Sequence, residues 1–138
     1  MSGPEKVLYT GKTRTLGGRV GTSRSSDGRL DVRLSPPGAP GSGTNPEQLL
    51  AAAWSASFIS ALEHEALQTS VSLPVSIAIE AEVDLVTTGG ADFLRARFDI
   101  GLRGLGREAA QVLVDAAHQR CPFSRAARGN VDVTINLL

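Results

Sequence analysis

The stretch Asn45-Pro46-Glu47-Gln48-Leu49-Leu50-Ala51-Ala52-Ala53-Trp54-Ser55-Ala56-Ser57-Phe58 decides how the chain is read. Asn45 is a residue that caps helices, Pro46 suits a first helical position, and Gln48 stands where a capping box wants Glu or Gln. Together they predict a helix running to about Gln68. Leu50, Trp54, Ser57, Ala61 and His64 recur at helical spacing on one face. Ala51, Ala52, Ala53 and Ala56 keep much of the surface small, so neighbouring backbone can come close. That predicts a helix buried in the middle of the fold.

Upstream, the chain reads as strands and loops. Val7 to Thr10 carries the β-formers Val7, Tyr9 and Thr10 and predicts a short strand. Leu30, Val32 and Leu34 alternate with Asp31, Arg33 and Ser35, a half-buried strand pattern. Between them Gly17-Gly18-Arg19-Val20-Gly21 reads as a turn or kinked strand, and Ser25-Ser26-Asp27-Gly28 as a hairpin turn. Residues 35–44, rich in Pro and Gly, form a connecting loop by composition.

Downstream, Val75, Ile77, Ile79, Ala81, Val83 and Leu85 alternate with largely polar neighbours. Leu94, Ala96, Phe98, Ile100 and Leu102 do the same, and residues 87–92 between the two runs read as a hairpin loop. A second helix is expected from Arg107 to Arg120, with Ala109, Val112, Leu113, Ala116 and Ala117 on one face. Cys121-Pro122 ends it, since proline disfavours helical geometry in the residue before it. Val131, Val133, Ile135 and Leu137 give a last strand. Strands, helix, long hairpin, helix and strand make an α+β fold, with antiparallel sheets and helices on one face. The two long strands need a large apolar cover, which points to a dimer.

Composition bounds the function. A chain of 138 residues suits one domain, 1–138. Lys plus Arg is 14 and Asp plus Glu is 14, which argues against a broad electrostatic nucleic-acid partner. One cysteine excludes an intrachain disulfide, and with two histidines no Cys/His metal cluster is spelled out. The longest apolar run, Leu49 to Trp54, is six residues, far from the roughly 20 that span a bilayer, so no membrane partner is expected. Residues 1–6 have no signal-peptide pattern, and the expectation is a soluble, cytoplasmic protein in a reducing compartment.

Four stretches in order carry a further signal. They are Gly17-Gly18-Arg19, Gly43-Thr44-Asn45-Pro46-Glu47-Gln48-Leu49, Trp54-Ser55-Ala56-Ser57-Phe58, and Ala117-His118-Gln119-Arg120-Cys121-Pro122-Phe123-Ser124 leading to residues 128–133. The chain resembles the OsmC/Ohr family, specifically its organic hydroperoxide resistance branch, over nearly its whole length. The resemblance implies an intertwined homodimer with active sites at the subunit interface. It implies thiol-dependent reduction of organic and fatty-acid hydroperoxides to alcohols, in defence against oxidative stress. No bound cofactor is implied; the reductant is a dithiol, the lipoyl groups of a lipoylated protein. Cys121 falls on the family's resolving cysteine, Arg19 on its catalytic arginine and Glu47 on that arginine's glutamate partner. Ser57 falls on the peroxidatic cysteine position.

Serine at 57 removes the attacking atom. A thiolate attacks a peroxide oxygen and becomes a sulfenic acid, which a second thiol converts to a disulfide. A neighbouring arginine lowers the thiol pKa and hydrogen-bonds the peroxide, and a glutamate fixes that arginine bidentately. A serine hydroxyl is scarcely ionised and has no equivalent oxidised state. The chain is thus an engineered inactive variant or a natural non-catalytic member. The rival class is a non-catalytic binding protein for a hydrophobic small molecule or lipid hydroperoxide. Glu47 and Ser57 are ten residues apart on one helix, about 15 Å along its axis, which favours a site shared between subunits. Outside the resemblance each residue has an ordinary reading. Cys121 is then a buried structural thiol, Ser57 a small packing residue, Arg19 a loop charge, and Glu47 an acidic group at a helix N-terminus. His64 and His118 read as surface or packing residues.

Overall fold

The structure is a computed structural model that describes residues 3–74 and 76–138. Met1, Ser2 and Val75, the first of the expected strand positions before Leu85, lie outside the described residues. The chain divides at Pro46–Glu47 into two compact units.

The first unit holds a three-stranded antiparallel sheet in the order β1 (Thr13–Leu16), β2 (Thr22–Ser25), β3 (Asp31–Arg33). A 3₁₀ turn, Gly18–Val20, links β1 to β2. Gly17 and Gly18 have φ of 76° and 59°, which side chains rarely tolerate. A Cβ on Gly21 would lie 1.7 Å from the carbonyl oxygen of Leu16. The glycines are what let the chain reverse this tightly, and Arg19 sits inside that reversal. Residues 35–44 fold back so that Thr44 bridges to Leu34, and Ser35 Oγ accepts the Gly43 amide at 3.0 Å. The expected strand Val7–Thr10 does not form. Strand propensity supplies no partner: among the described residues no strand pairs with this segment, and Val7, Leu8 and Tyr9 remain exposed.

The second unit contains α1 (Pro46–Gln68), β4 (Ala78–Thr88), β5 (Ala91–Gly101), α2 (Arg107–Arg120), α3 (Pro122–Ala127) and β6 (Asp132–Leu137). Both long helices have the expected bounds. The hairpin between β4 and β5 is tighter than expected: Thr88 pairs with Ala91, leaving only Gly89 and Gly90 in the turn. Both have positive φ, 57° and 79°, the conformation that a two-residue hairpin connection requires. The sheet order is β4-β5-β6. β6 departs from the antiparallel pattern and runs parallel to β5, because α2 and α3 carry the chain back to the sheet's starting end.

β5 is the central strand, and its Ala96, Phe98 and Ile100 are fully buried under the helices. The outer face of the hairpin is ionic. Asp84 receives hydrogen bonds from Arg97 at 2.8 and 3.1 Å and from Arg95 at 3.0 Å, and Arg97 also reaches Glu82 at 2.9 Å. These bonds hold the Asp84 carboxyl down to about 2.

Two expectations about helix faces are corrected. α1 buries one side, through Trp54, Phe58, Ala61, Leu62 and Ala66, while Ala52, Ala53 and Ala56 stay exposed. It packs on its sheet from one direction, so small residues elsewhere do not bury it all round. On α2 the buried stripe is Ala110, Leu113, Val114 and Ala117, continuing to Cys121. The expected Ala109 and Val112 are exposed. An alanine-rich helix offers two plausible stripes, and the one that continues into Cys121 meets the core. Leu113→Ala is expected to destabilise the protein by about 2–5 kcal/mol, and Val112→Ala to stay within about 0.5 kcal/mol. Urea denaturation of the two variants checks the assignment.

Candidate active site

Two of the expected residues meet. Cys121 Sγ donates to Ser57 Oγ at 3.5 Å, joining positions 64 residues apart in sequence. Ser57 is half-buried on α1, and Cys121 is fully buried and free of any disulfide.

The local backbone explains why Cys121 is placed so firmly. It lies between α2 and α3 with ψ of 123°, which breaks the helix before Pro122. Its amide donates to the Ala117 carbonyl at 2.8 Å, and its own carbonyl accepts from the Arg125 amide at 2.9 Å. Cys121 therefore closes one helix and opens the next. The sequence marks the break at Pro122, yet the short helix α3 goes unforeseen.

A second polar link lies beside the first. Trp54 Nε1 donates to Ser124 Oγ at 3.0 Å, with both residues buried. Neither residue receives a role from sequence reasoning, although both stand inside quoted motifs. The only available signal is that a buried tryptophan N–H needs an acceptor.

Of the other expected site residues, Glu47 lies in the first turn of α1, half-buried, ten residues from Ser57 along the helix. Arg19 belongs to the first unit, as the last residue but one of the turn Gly18–Val20. Both residues are engaged in noncovalent interactions. A groove lined by Ile59, Glu63, Leu67, Val71, Leu73 and Ile77 opens along the C-terminal half of α1 and includes none of the four. Among the described residues no group of three or more His, Cys, Asp or Glu is arranged to hold a metal ion. Nor is any helix there long and apolar enough to cross a membrane.

His118, one helical turn before Cys121, packs its ring 6.3 Å from that of Phe58. Its Nδ1 is buried without a hydrogen-bond partner. Burial pulls its pKa below the ordinary 6.5; the Arg128 charge adds to this and Asp115 opposes it.

The family model for OsmC-like proteins matches residues 39–136. The chain belongs to the OsmC-like family. Within it the sequence falls in the organic hydroperoxide resistance branch. It is 45% identical over 141 residues to an organic hydroperoxide resistance protein of Xanthomonas axonopodis pv. citri, covering 99% of each chain. It is 42% identical to the organic hydroperoxide resistance protein OhrB of Bacillus subtilis, covering 95% of this chain and 98% of that one. The crystal structure of OhrB superposes with a TM-score of 0.90 at 41% identity, covering 96% of this chain and all of its own.

The His118 environment predicts a pH dependence. A folded-state pKa below the unfolded value means that the unfolded chain binds more protons between the two. The contribution of neutral His118 to stability is complete above 6.5 and is lost as pH falls below it. Thermal melts from pH 8 to pH 5 are expected to show a smaller acid-side drop in His118→Gln than in the unaltered protein. Equal drops would mean that another group titrates there.

Proposed function

We propose that this chain carries the architecture for thiol-dependent reduction of organic and fatty-acid hydroperoxides to alcohols, in defence against oxidative stress, and that Ser57 withholds the reaction. The observation that supports this most is the 3.5 Å approach of Cys121 Sγ to Ser57 Oγ. That is the pairing a two-thiol peroxidase needs, with oxygen where the attacking sulfur would be. The names of its relatives support the substrate class.

With sulfur at position 57 the sequence of bonds is simple. The thiolate attacks one peroxide oxygen and the O–O bond breaks. The leaving alkoxide takes a proton and departs as the alcohol, and the sulfur becomes a sulfenic acid. The Cys121 thiol then attacks that sulfur; an S–S bond forms and the oxygen leaves as water. An external dithiol, the lipoyl group of a partner protein in this reading, reduces the disulfide and is itself oxidised to a disulfide. Arg19 stabilises the thiolate and hydrogen-bonds the peroxide, and Glu47 orients Arg19. With oxygen at 57 the first step does not start. Ser57 therefore also favours a second reading of the unaltered chain, as a protein that binds a lipid hydroperoxide or similar hydrophobic molecule without turning it over.

The protein in this reading is a cytoplasmic homodimer. Support comes from apolar side chains left uncovered in one chain, Val7, Leu8, Tyr9 and Val20, and from the exposed alanines of α1. Light scattering at micromolar concentration is expected to give roughly 29 kDa, twice the 14.4 kDa chain. A monomer would sink the shared-site reading.

Consumption of cumene hydroperoxide with dihydrolipoamide is expected to be negligible for the unaltered chain and to rise by orders of magnitude in Ser57→Cys. Robust turnover by the unaltered chain would show Cys121 attacking peroxide alone and would overturn these roles. In the Ser57→Cys background, Arg19→Ala is expected to slow the reaction roughly 10²–10³-fold, as loss of a donor to a developing anion does. Glu47→Ala is expected to cost less, because it acts through the arginine.

A further inference from the structure

The two hydrogen bonds between α1 and the Cys121 region share one spacing. Trp54 precedes Ser57 by three residues on α1, and Cys121 precedes Ser124 by three residues into α3. Trp54 Nε1 bonds Ser124 Oγ at 3.0 Å, and Cys121 Sγ bonds Ser57 Oγ at 3.5 Å. The links are thus two rungs, one turn apart, between the same two segments. They differ in strength. The Trp54–Ser124 rung is short, and both its residues are no more than 2% exposed. The thiol rung is long, and Ser57 is only half-buried.

The Trp54 end of the strong rung is fixed independently. Its ring meets Phe98 edge-on with centroids 4.9 Å apart, and Phe98 belongs to the central strand. The Ser124 end is fixed by the first turn of α3, which starts directly after Cys121. A slide of α3 along α1 that displaced Cys121 would therefore strand a buried indole N–H without an acceptor. A buried donor left unpaired loses its hydration without a replacement bond, so the slide is opposed.

We propose that the Trp54–Ser124 hydrogen bond sets the register in which position 57 meets Cys121, making Trp54 and Ser124 positioning residues for disulfide closure. This rests on the reading of 57 and 121 as a thiol pair. A disulfide has its sulfurs about 2.05 Å apart, well inside the 3.5 Å that separates Cys121 Sγ from Ser57 Oγ, so the two side chains must close further. A step that steep in distance responds strongly to register; misplacement by about 1 Å costs on the order of 10²-fold in comparable reactions. The bond itself contributes no atom to the reaction. In the closure step the sulfenic sulfur bonds to the Cys121 sulfur and the oxygen departs as water, while Trp54 and Ser124 stay unchanged.

The test measures the pair of thiols without peroxide. Full-length Ser57→Cys protein is equilibrated in glutathione redox buffers, and the effective molarity of the two thiols is read from the fraction of disulfide. Adding Ser124→Ala or Trp54→Phe is expected to lower it about tenfold or more, and combining the two is expected to lower it no further than one alone. Leu113→Ala, which loosens the same core away from this rung, is expected to leave it unchanged. The proposal fails if Trp54→Phe leaves the effective molarity intact, if the two changes add independently, or if Leu113→Ala lowers it equally. Should Ser124→Ala not fold, Trp54→Phe against Leu113→Ala carries the decision. If Ser57→Cys forms no disulfide at all, the proposal is overturned. If it forms one but does not consume cumene hydroperoxide, the peroxidase reading falls and the positioning role stands.

Discussion

Phe98 lies in the middle of β5 with Trp54 packed on its edge and Phe58 stacked 6.2 Å away. These two contacts fix both the rotation of α1 about its axis and its position along the strand. Ser57 stands between Trp54 and Phe58 in sequence, so the packing that buries its neighbours also aims it. Buried aromatic pairs add about 0.5–1.5 kcal/mol beyond the area they cover, and here they act on one ring from two positions. Cys121 arrives from the other side by a different device, a helix broken at Pro122 with both flanking backbone bonds intact. Side-chain packing places one partner and backbone hydrogen bonding places the other, and the approach of 57 to 121 is where the two constraints meet.

The legible parts of this structure are those governed by local chemistry. The start of α1 follows from Asn45-Pro46, and the end of α2 from Cys121-Pro122, because proline acts on its own and adjacent residues. Alternation along β4 and β5 is visible because one sheet face is apolar and the other charged. What stays hidden depends on partners distant in sequence. Val7–Thr10 has the composition of a strand and pairs with none of the described strands. The choice between Val112 and Val114 on α2 turns on which stripe meets Phe98 and Ile100, and composition does not rank them. β6 carries no mark of its parallel direction, which is set by where the α2–α3 connection returns the chain.

The candidate site divides along the same line. Ser57 and Cys121 were legible only through the motifs around them, since a serine among alanines and a lone cysteine are ordinary residues. In the second unit the two side chains lie 3.5 Å apart. The hydrogen bond from Trp54 to Ser124 has no local signature, because it spans 70 residues and its members serve equally well as core filler and small hydroxyl. The unpartnered Nδ1 of His118 is likewise invisible in sequence, where this histidine reads as a surface or packing residue.

Serine at position 57 is compatible with everything that holds this region together. Its oxygen accepts the Cys121 thiol proton, so no buried donor is stranded by the absence of sulfur. The residue is half-buried, and neither aromatic contact of its neighbours passes through it. Shape and hydrogen bonding at this position thus place little demand on the element that occupies it. In the proposed reading the demand comes from reactivity alone: an atom that ionises near neutral pH, attacks an O–O bond and holds an oxidised state long enough to be resolved. A fold can therefore keep the approach of two side chains, here Cys121 and Ser57, while the atom at one of them changes. In the proposed reading the identity of one side-chain atom carries information about activity that neither backbone superposition nor packing contains.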